Sequence, residues 1–203
     1  MRGSTQAQNG ELNPSKVKWA GFVGPYKENS LAVVLCNGIP KSGTHALVRA
    51  VQLLGCETEH VHTPYSDKAS GKQILITRNP KNTLISWLRF TGEKVTQGFL
   101  MGLFKSYDGY PLYDSYARYQ PYQEDKDTLI VRFEELFSDG GSSLERVADF
   151  IGVPLLDDAY DNIEGLTLTY TGKLSDWRDH WSDLVEAAWI EARGDEVEKL
   201  WSY

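Results

Sequence analysis

The stretch GIPKSGTHAL, residues 38–47, lies between the apolar run LAVVLC, residues 31–36, and a segment with apolar residues at helical spacing. This strand-loop-helix layout is typical of phosphate-binding loops, in which backbone N–H groups and the positive end of the helix dipole face an anion. The Walker loop of ATP-binding proteins has a glycine directly before its lysine. Here Lys41 follows a proline and precedes Ser-Gly-Thr. The sequence therefore predicts an anion site that differs from an ATP site.

The remaining chain alternates apolar runs of strand length with segments of helical periodicity. QILIT (residues 73–77) and DTLIVRF (residues 127–133) predict two more buried strands. Helices are predicted over residues 44–54, from Asn79 as N-cap with Pro80 in the first position, and from Ser142, which with Glu145 fits a capping box. The pattern predicts an α/β fold, a three-layer α/β/α domain with a central parallel sheet, over residues 31–203. Residues 1–30 are polar and predict an irregular N-terminal arm.

Composition limits the classes of function. The 203 residues, 41% apolar, are enough for one substantial core, and the two cysteines are too few for a disulfide framework. No stretch has the roughly 20 apolar residues of a membrane span, so a soluble, cytoplasmic protein is expected unless a leader was removed. The net charge of -7 disfavours binding to nucleic acid. Any anionic ligand must therefore be held by a local cluster of donors.

Polar residues follow the predicted strands, where ligands bind in parallel α/β sheets. Lys41 and the hydroxyl residues beside it follow the first strand, and Arg78 ends the strand at residues 73–77. His60 and His62 lie between these two sites in EHVHTP. Each residue taken alone is also compatible with a structural role. A strand over residues 57–62 would put both histidines on one face, so their spacing does not choose between them as a base.

Together these segments resemble the sulfotransferases that use 3′-phosphoadenosine 5′-phosphosulfate (PAPS). PKSGTH is similar to that family's loop for the 5′-phosphosulfate, and RNPKNTLIS to its 3′-phosphate motif, in which Arg and Ser stand eight positions apart. HTP resembles its His-x-Pro segment, VRFEELFSD its Tyr-Glu-Asp-Leu segment, and TGKLSDWRDHW its C-terminal Gly-x-x-Gly-x-Trp segment. The resemblance spans residues 31–203, with the motifs in the family's order.

The resemblance implies a phosphate-loop NTPase-like fold and transfer of a sulfuryl group from PAPS to an acceptor hydroxyl or amine, leaving PAP, without a metal ion. It implies Lys41 and His62 as catalytic residues, with Lys41 near the leaving group and His62 as the general base. The residues that it implies for binding the nucleotide are Lys41, Ser42, Gly43, Thr44, His45, Arg78, Ser86, Phe133, Gly172, Lys173, Trp177 and Arg178.

The chain also departs from the family pattern. Ala46 stands where many members have a tryptophan that packs on adenine, and Phe133 stands in place of a tyrosine. Tyr170 and Thr171 stand where cytosolic members have Arg-Lys for the 3′-phosphate, and Ser175 replaces the second glycine of that segment. Lys173 or Arg178 is a candidate to compensate. The contacts of the adenine and of the 3′-phosphate are therefore open.

Two other functions remain as alternatives. A protein that binds PAP or PAPS without turnover is compatible with the departures, and a phosphate-loop kinase would need a Walker lysine and a carboxylate for Mg²⁺. The acceptor class is also open. The segment from Phe90 to Asp125 is rich in Tyr and Phe. These rings either pack helices onto the domain or line a pocket for a small-molecule, sugar or lipid-like hydroxyl acceptor.

Overall fold

The computed structural model describes residues 33–138, 140–155 and 176–203. Its strands are β1 (Val34–Gly38), β2 (Thr58–Val61), β3 (Gln73–Thr77) and β4 (Thr128–Arg132). Its α-helices are α1 (Thr44–Leu53), α2 (Pro80–Phe90), α3 (Gln97–Lys105), α4 (Leu112–Ala117), α5 (Phe133–Leu136), α6 (Ser142–Ile151), α7 (Asp183–Glu191) and α8 (Gly194–Trp201). Short 3₁₀ helices lie at Tyr65–Asp67, Gln120–Glu124 and Trp177–His180. The predicted arm, residues 1–30, lies outside the described residues, in which no helix is long and apolar enough to cross a membrane.

The strands of the described chain form one parallel sheet in the order β2-β1-β3-β4. Cys36 in the centre of β1 is paired with His60 of β2 on one side and with Ile74 of β3 on the other. The chain therefore leaves β1 toward β2 and then returns to form β3 on the opposite side of β1. Such a reversal opens a crevice beyond the carboxyl ends of the two central strands, where ligands of α/β proteins bind.

Helices cover both faces of the sheet, which confirms the predicted three-layer α/β/α fold. All five residues of β3 are buried, and its side chains alternate between two hydrophobic clusters. Ile74 and Ile76 pack with α1 and α6, whereas Leu75 packs with α2, α3, α4, α7 and α8. A strand that is buried on both faces needs a continuous apolar run rather than an alternating one. The QILIT run therefore identified this strand correctly.

The aromatic-rich segment belongs mostly to the core. Tyr107, Tyr116, Tyr119 and Tyr122 are each at most 1% exposed and lie in the cluster on the α2 side of the sheet. The C-terminal rings of Trp189 and Trp201 lie in the same cluster. Large rings bury much apolar area, so these residues hold α3, α4, α7 and α8 against the sheet.

The two predicted helix starts have different outcomes. Asn79 is the N-cap of α2, its side chain accepts a hydrogen bond from the N–H of Asn82, and Pro80 is in the first turn, as predicted. The capping box at Ser142 and Glu145 is wrong, because Gly141 is the N-cap of α6 and Ser142 is the first residue inside the helix. Gly141 has a φ of 101°, a left-handed conformation that favours glycine.

Candidate functional site

A cavity of about 650 Å³ lies at the carboxyl ends of β1 and β3. Eight of the predicted site residues line this cavity: Lys41, Gly43, Thr44, His45, His62, Arg78, Ser86 and Phe133. It is also lined by residues to which no role was assigned, namely Pro40, Ala46, His60, Asn82, Trp87, Arg89, Phe90 and Asp108. The three segments with polar residues after the predicted strands, at Lys41, His62 and Arg78, therefore meet at one cavity, as expected, together with Asp108 and Phe133.

The loop between β1 and α1 is shaped by two residues with positive φ. Lys41 has a φ of 67° and Gly43 a φ of 111°. A Cβ atom on Gly43 would lie 2.3 Å from Cδ2 of Phe133, so the ring of Phe133 occupies the space that any other residue would need. Tyr107 adds a further support, because its buried hydroxyl donates a hydrogen bond to the carbonyl of Pro40. The loop is therefore fixed from both sides.

The two hydroxyl residues of the loop have different surroundings. Ser42 is buried, and its Oγ donates a hydrogen bond of 2.9 Å to the carbonyl of Ile76 in β3. That bond ties the loop to the sheet, and Ser42 is not part of the cavity wall. Thr44 does line the cavity, at the first position of α1, and its Oγ1 is buried without a hydrogen-bond partner. A buried hydroxyl without a partner at a helix N-terminus is suited to an anionic ligand.

Arg78 lies opposite the loop, at the end of β3. Its guanidinium is 4.3 Å from the centroid of the Phe133 ring, and its Nε is buried without a partner. Burial lowers the pKa of Arg78, whereas the nearby Glu134 and Asp176 carboxylates raise it. Phe133 therefore touches both the loop at Gly43 and the guanidinium. A buried donor that the protein leaves unpaired is costly unless a ligand accepts from it.

Helix α2 contributes one row of polar side chains to the cavity. Asn82, Ser86 and Arg89 follow one another at intervals of four and three residues, which is the spacing of one helix face. All three line the cavity. Of the three, the predicted site included Ser86 alone. Extending the helical spacing from Ser86 in both directions would have found the other two from the sequence.

His62 is held by the backbone of β1. Its Nδ1 lies 2.6 Å from the carbonyl oxygen of Gly38, and a carbonyl can only accept, so Nδ1 carries the proton. Thr63, the residue after His62, is fixed by the buried side chain of Asn37. That side chain donates to the carbonyl of Thr63 at 2.8 Å and accepts from its N–H at 3.0 Å. With Nδ1 protonated, Nε2 of neutral His62 has a free lone pair. That nitrogen is the basic one.

Three histidines stand in a row along the cavity wall. Nε2 of His60 lies 3.2 Å from Nε2 of His62, and the ring of His45 lies 4.7 Å from that of His60. Since Nε2 of His62 accepts, Nε2 of His60 must donate. Burial, followed by the charges of His62, His45 and Lys41, lowers the pKa of His60 to about 4. His60 is therefore neutral at pH 7 and hydrogen-bonded to the basic nitrogen of His62.

Lys41 is the cation nearest the front of the loop. Its Nζ lies 3.8 Å from the centroid of the Phe90 ring. Burial and the charge of Arg78 lower the pKa of Lys41. A lysine whose pKa is lowered by burial and by a neighbouring cation is stabilised in its charged form when an anion lies beside it. In the described part of the chain, by contrast, no group of three or more His, Cys, Asp or Glu residues is arranged to hold a metal ion.

The predicted C-terminal contacts that the structure describes are not brought into the cavity. Trp177 and Arg178 are not among its lining residues, and the Arg178 guanidinium lies 4.5 Å from the Trp177 ring centroid. Gly172 and Lys173 lie outside the described residues. The backbone N–H of Trp177 donates to Oδ1 of Asn82, so this segment is attached to α2 beside the cavity.

Comparison with known proteins gives one family and a set of similar folds. The sulfotransferase domain family model matches residues 60–175, more than half of the chain. Mouse sulfotransferase SULT7A1 complexed with PAP aligns with a TM-score of 0.68 at 18% identity, covering 84% of this chain and 87% of that one. Retinol dehydratase in complex with androsterone and the inactive cofactor PAP aligns with a TM-score of 0.68 at 13% identity, covering 84% and 82%. No curated protein sequence matches the chain.

Proposed function

The chain belongs to the sulfotransferase domain family, and on this premise we propose that it transfers the sulfuryl group of PAPS to a hydroxyl or amine of a small-molecule acceptor, leaving PAP. The observation that carries the proposal is the meeting of Lys41, Thr44, Arg78 and His62 at one cavity. It brings two anion sites and a base together. The fold alone would support many other reactions.

The donor set fits a nucleotide with phosphates at both ends. Thr44 Oγ1 and Arg78 Nε are the buried polar atoms of the cavity wall that lack a partner within the described chain. They lie on opposite sides of the Gly43 and Phe133 contact, Thr44 at the loop and Arg78 at the end of β3. We assign the loop and Lys41 to the 5′-phosphosulfate, and Arg78 with Ser86 to the 3′-phosphate. An arginine fork matches phosphate oxygens in charge-assisted hydrogen bonds.

PAPS supplies the sulfuryl group, and the protein residues supply charge and a proton acceptor. In-line transfer builds negative charge on the oxygen that bridges the sulfuryl group and the 5′-phosphate. Lys41 is the cation that we assign to this oxygen, because it lies at the front of the loop and keeps its ammonium against a neutral ring. Stabilising charge that develops only in the transition state lowers the barrier more than it strengthens substrate binding.

His62 is the base that we assign to the acceptor. As the acceptor oxygen bonds to sulfur and the bridging S–O bond breaks, the acceptor proton passes to Nε2 of His62. The Gly38 carbonyl supports this role, because its bond to Nδ1–H leaves Nε2 as the basic nitrogen and stabilises the imidazolium that forms. Nε2 of His60 lies within hydrogen-bond distance of Nε2 of His62, so the acceptor hydroxyl must displace the N–H of His60.

We assign the acceptor to the part of the cavity wall formed by Phe90, Trp87 and Asp108, because Lys41, the cation assigned to the leaving group, lies against the Phe90 ring. Phe90 is 65% exposed, so an apolar ring faces solvent at this side. A phenol or a lipid-like alcohol suits such a surface better than a highly anionic polysaccharide, since Asp108 and the acidic chain repel anions.

Two measurements test the proposal. PAP, without added Mg²⁺, should raise the thermal midpoint, whereas adenosine 5′-phosphate (AMP), which lacks the 3′-phosphate, should raise it much less. Labelled PAPS with a panel of phenols, sugars and lipid-like alcohols should then give a sulfated product and PAP. Equal shifts from PAP and AMP would contradict the nucleotide assignment. Preferential binding of PAP without transfer to any acceptor or to water would favour the non-catalytic alternative.

A further inference from the structure

We propose that Arg89 is a third ligand of the 3′-phosphate, acting beside Arg78 and Ser86; the inference rests on the proposed function. Arg89 lies outside the RNPKNTLIS motif and was not among the predicted site residues. It lines the same cavity wall as Ser86, one helical turn further along α2.

Arg89 is within electrostatic reach of the proposed phosphate site. Burial lowers the pKa of Arg78, the Glu134 and Asp176 carboxylates raise it, and the charge of Arg89 lowers it, so the two guanidinium groups are close enough to repel each other. A phosphate dianion between them replaces this repulsion by two attractions. The Arg89 side chain is 41% exposed. Neither packing in the core nor the geometry of the helix therefore requires an arginine at this position.

The guanidinium of Arg89 is held in one place and still has free donors. Its Nη2 lies 2.5 Å from Oδ2 of Asp176, whose own side chain is 9% exposed. Asn82 fixes Asp176 in turn, because Oδ1 of Asn82 accepts from the backbone N–H of Asp176 at 3.3 Å. A guanidinium has five N–H donors, and among the described residues Asp176 is the one acceptor that Arg89 contacts. Its other donors remain for an anion in the cavity.

The sequence gives an independent reason to look for another cation here. Tyr170 and Thr171 occupy the positions where resembling sequences have Arg-Lys. Arg178, which was considered as a replacement, is turned onto the Trp177 ring and does not line the cavity. Arg89 belongs to helix α2 and does line the cavity. In this proposal it supplies the charge that Arg178 does not.

Calorimetric titration with PAP and AMP tests this role, because the two ligands differ only by the 3′-phosphate. We expect Arg89→Ala to weaken PAP binding about 10-fold, the effect of losing one charge-assisted hydrogen bond. AMP affinity should stay at the parental value. Arg89→Lys, which keeps the charge but loses the fork, should give an intermediate loss for PAP. Arg49→Ala is the control, because it removes the same charge from an exposed position of α1 outside the cavity.

Each outcome separates the two proposals. If the parent protein prefers PAP to AMP and Arg89→Ala keeps that preference, the role of Arg89 is refuted and the proposed function stands. Equal losses for PAP and AMP would also refute it, since they would indicate a general effect on the site. If the parent does not distinguish PAP from AMP, both proposals fail. Unliganded thermal midpoints of the Arg89 and Arg49 variants check that each is folded.

Discussion

Gly43 offers a test of the contact on which the site geometry depends. Gly43 and Gly71 have nearly the same φ, +111° and +110°, which lies in the region that favours glycine. A Cβ added at Gly71 meets nothing within 4 Å, whereas one at Gly43 lies 2.3 Å from Cδ2 and 2.9 Å from Cε2 of Phe133. Alanine at the two positions therefore causes similar backbone strain, but a collision at Gly43 alone.

The expected losses of stability follow from the backbone strain and from the collision with Phe133. Left-handed backbone strain makes Gly71→Ala less stable by about 1–2 kcal/mol. Gly43→Ala adds overpacking against a buried ring, a further cost of about 1–3 kcal/mol. The Phe133 ring must shift to relieve the collision, and the Arg78 guanidinium, 4.3 Å from its centroid, shifts with it. We therefore expect Gly43→Ala to weaken PAP binding as well, and Gly71→Ala to leave it unchanged.

Urea unfolding of the parent and both variants measures the losses in the free energy of unfolding. The comparison holds if the slope of this free energy against urea concentration is the same in all three proteins. Titration with PAP on the folded variants measures the second effect. Equal destabilisation by the two substitutions would show that Phe133 yields without cost. Parental PAP affinity in Gly43→Ala would show that the ring does not position Arg78.

Three further predictions concern the proposed roles. Arg78→Ala should reduce PAP affinity by about 1.5–3 kcal/mol, measured by titration, and an unchanged affinity would move the 3′-phosphate elsewhere. His62→Ala should lower turnover with any accepted substrate by about 10²- to 10⁴-fold while PAP affinity stays nearly constant, whereas a selective loss in His60→Ala would transfer the role of base to His60. Burial and its charged neighbours lower the pKa of His60 from 6.5 to about 4. The unfolded chain therefore binds the extra proton in that window, so the free energy of unfolding should fall as pH drops from 6.5 to 4, and this fall should be smaller in His60→Gln.

Much of the fold could be predicted because its signals are local. The run of β3 is continuous and apolar because both of its faces are buried, and Asn79 with Pro80 marks a helix start through its own backbone chemistry. The capping box at Ser142 was wrong for an equally local reason. Two glycines precede that serine, and the second of them takes the left-handed cap position, which moves the helix start by one residue.

Site residues could be predicted only where their place in the sequence, near the end of a strand, determines their place in the fold. Residues that directly follow a strand, such as Lys41 and Arg78, reach the cavity because strand ends meet there. The direction in which a side chain points could not be predicted in this way. Ser42 turns its hydroxyl to the carbonyl of Ile76, and the bond between His60 and His62 depends on ring orientations that spacing does not determine. Contacts of this kind are decided by tertiary packing.

Lys81 is held differently from Lys41 and Arg78, and this difference supports the proposed anion site in an acidic chain. Lys81 does not line the cavity. It lies over the Trp177 ring, 4.5 Å from the centroid, and is paired with two carboxylates, Glu186 at 3.4 Å and Glu198 at 3.5 Å. Lys41 and Arg78 line the cavity, and in the described chain neither is in an ion pair; each lies against the face of a phenylalanine ring instead. A ring face attracts and orients a cation without neutralising it. Carboxylates of the fold therefore compensate the charge of Lys81, whereas no carboxylate of the described chain is paired with Lys41 or Arg78. An anion bound between these two would oppose the effects of burial and of the Arg78 charge, which both lower the pKa of Lys41.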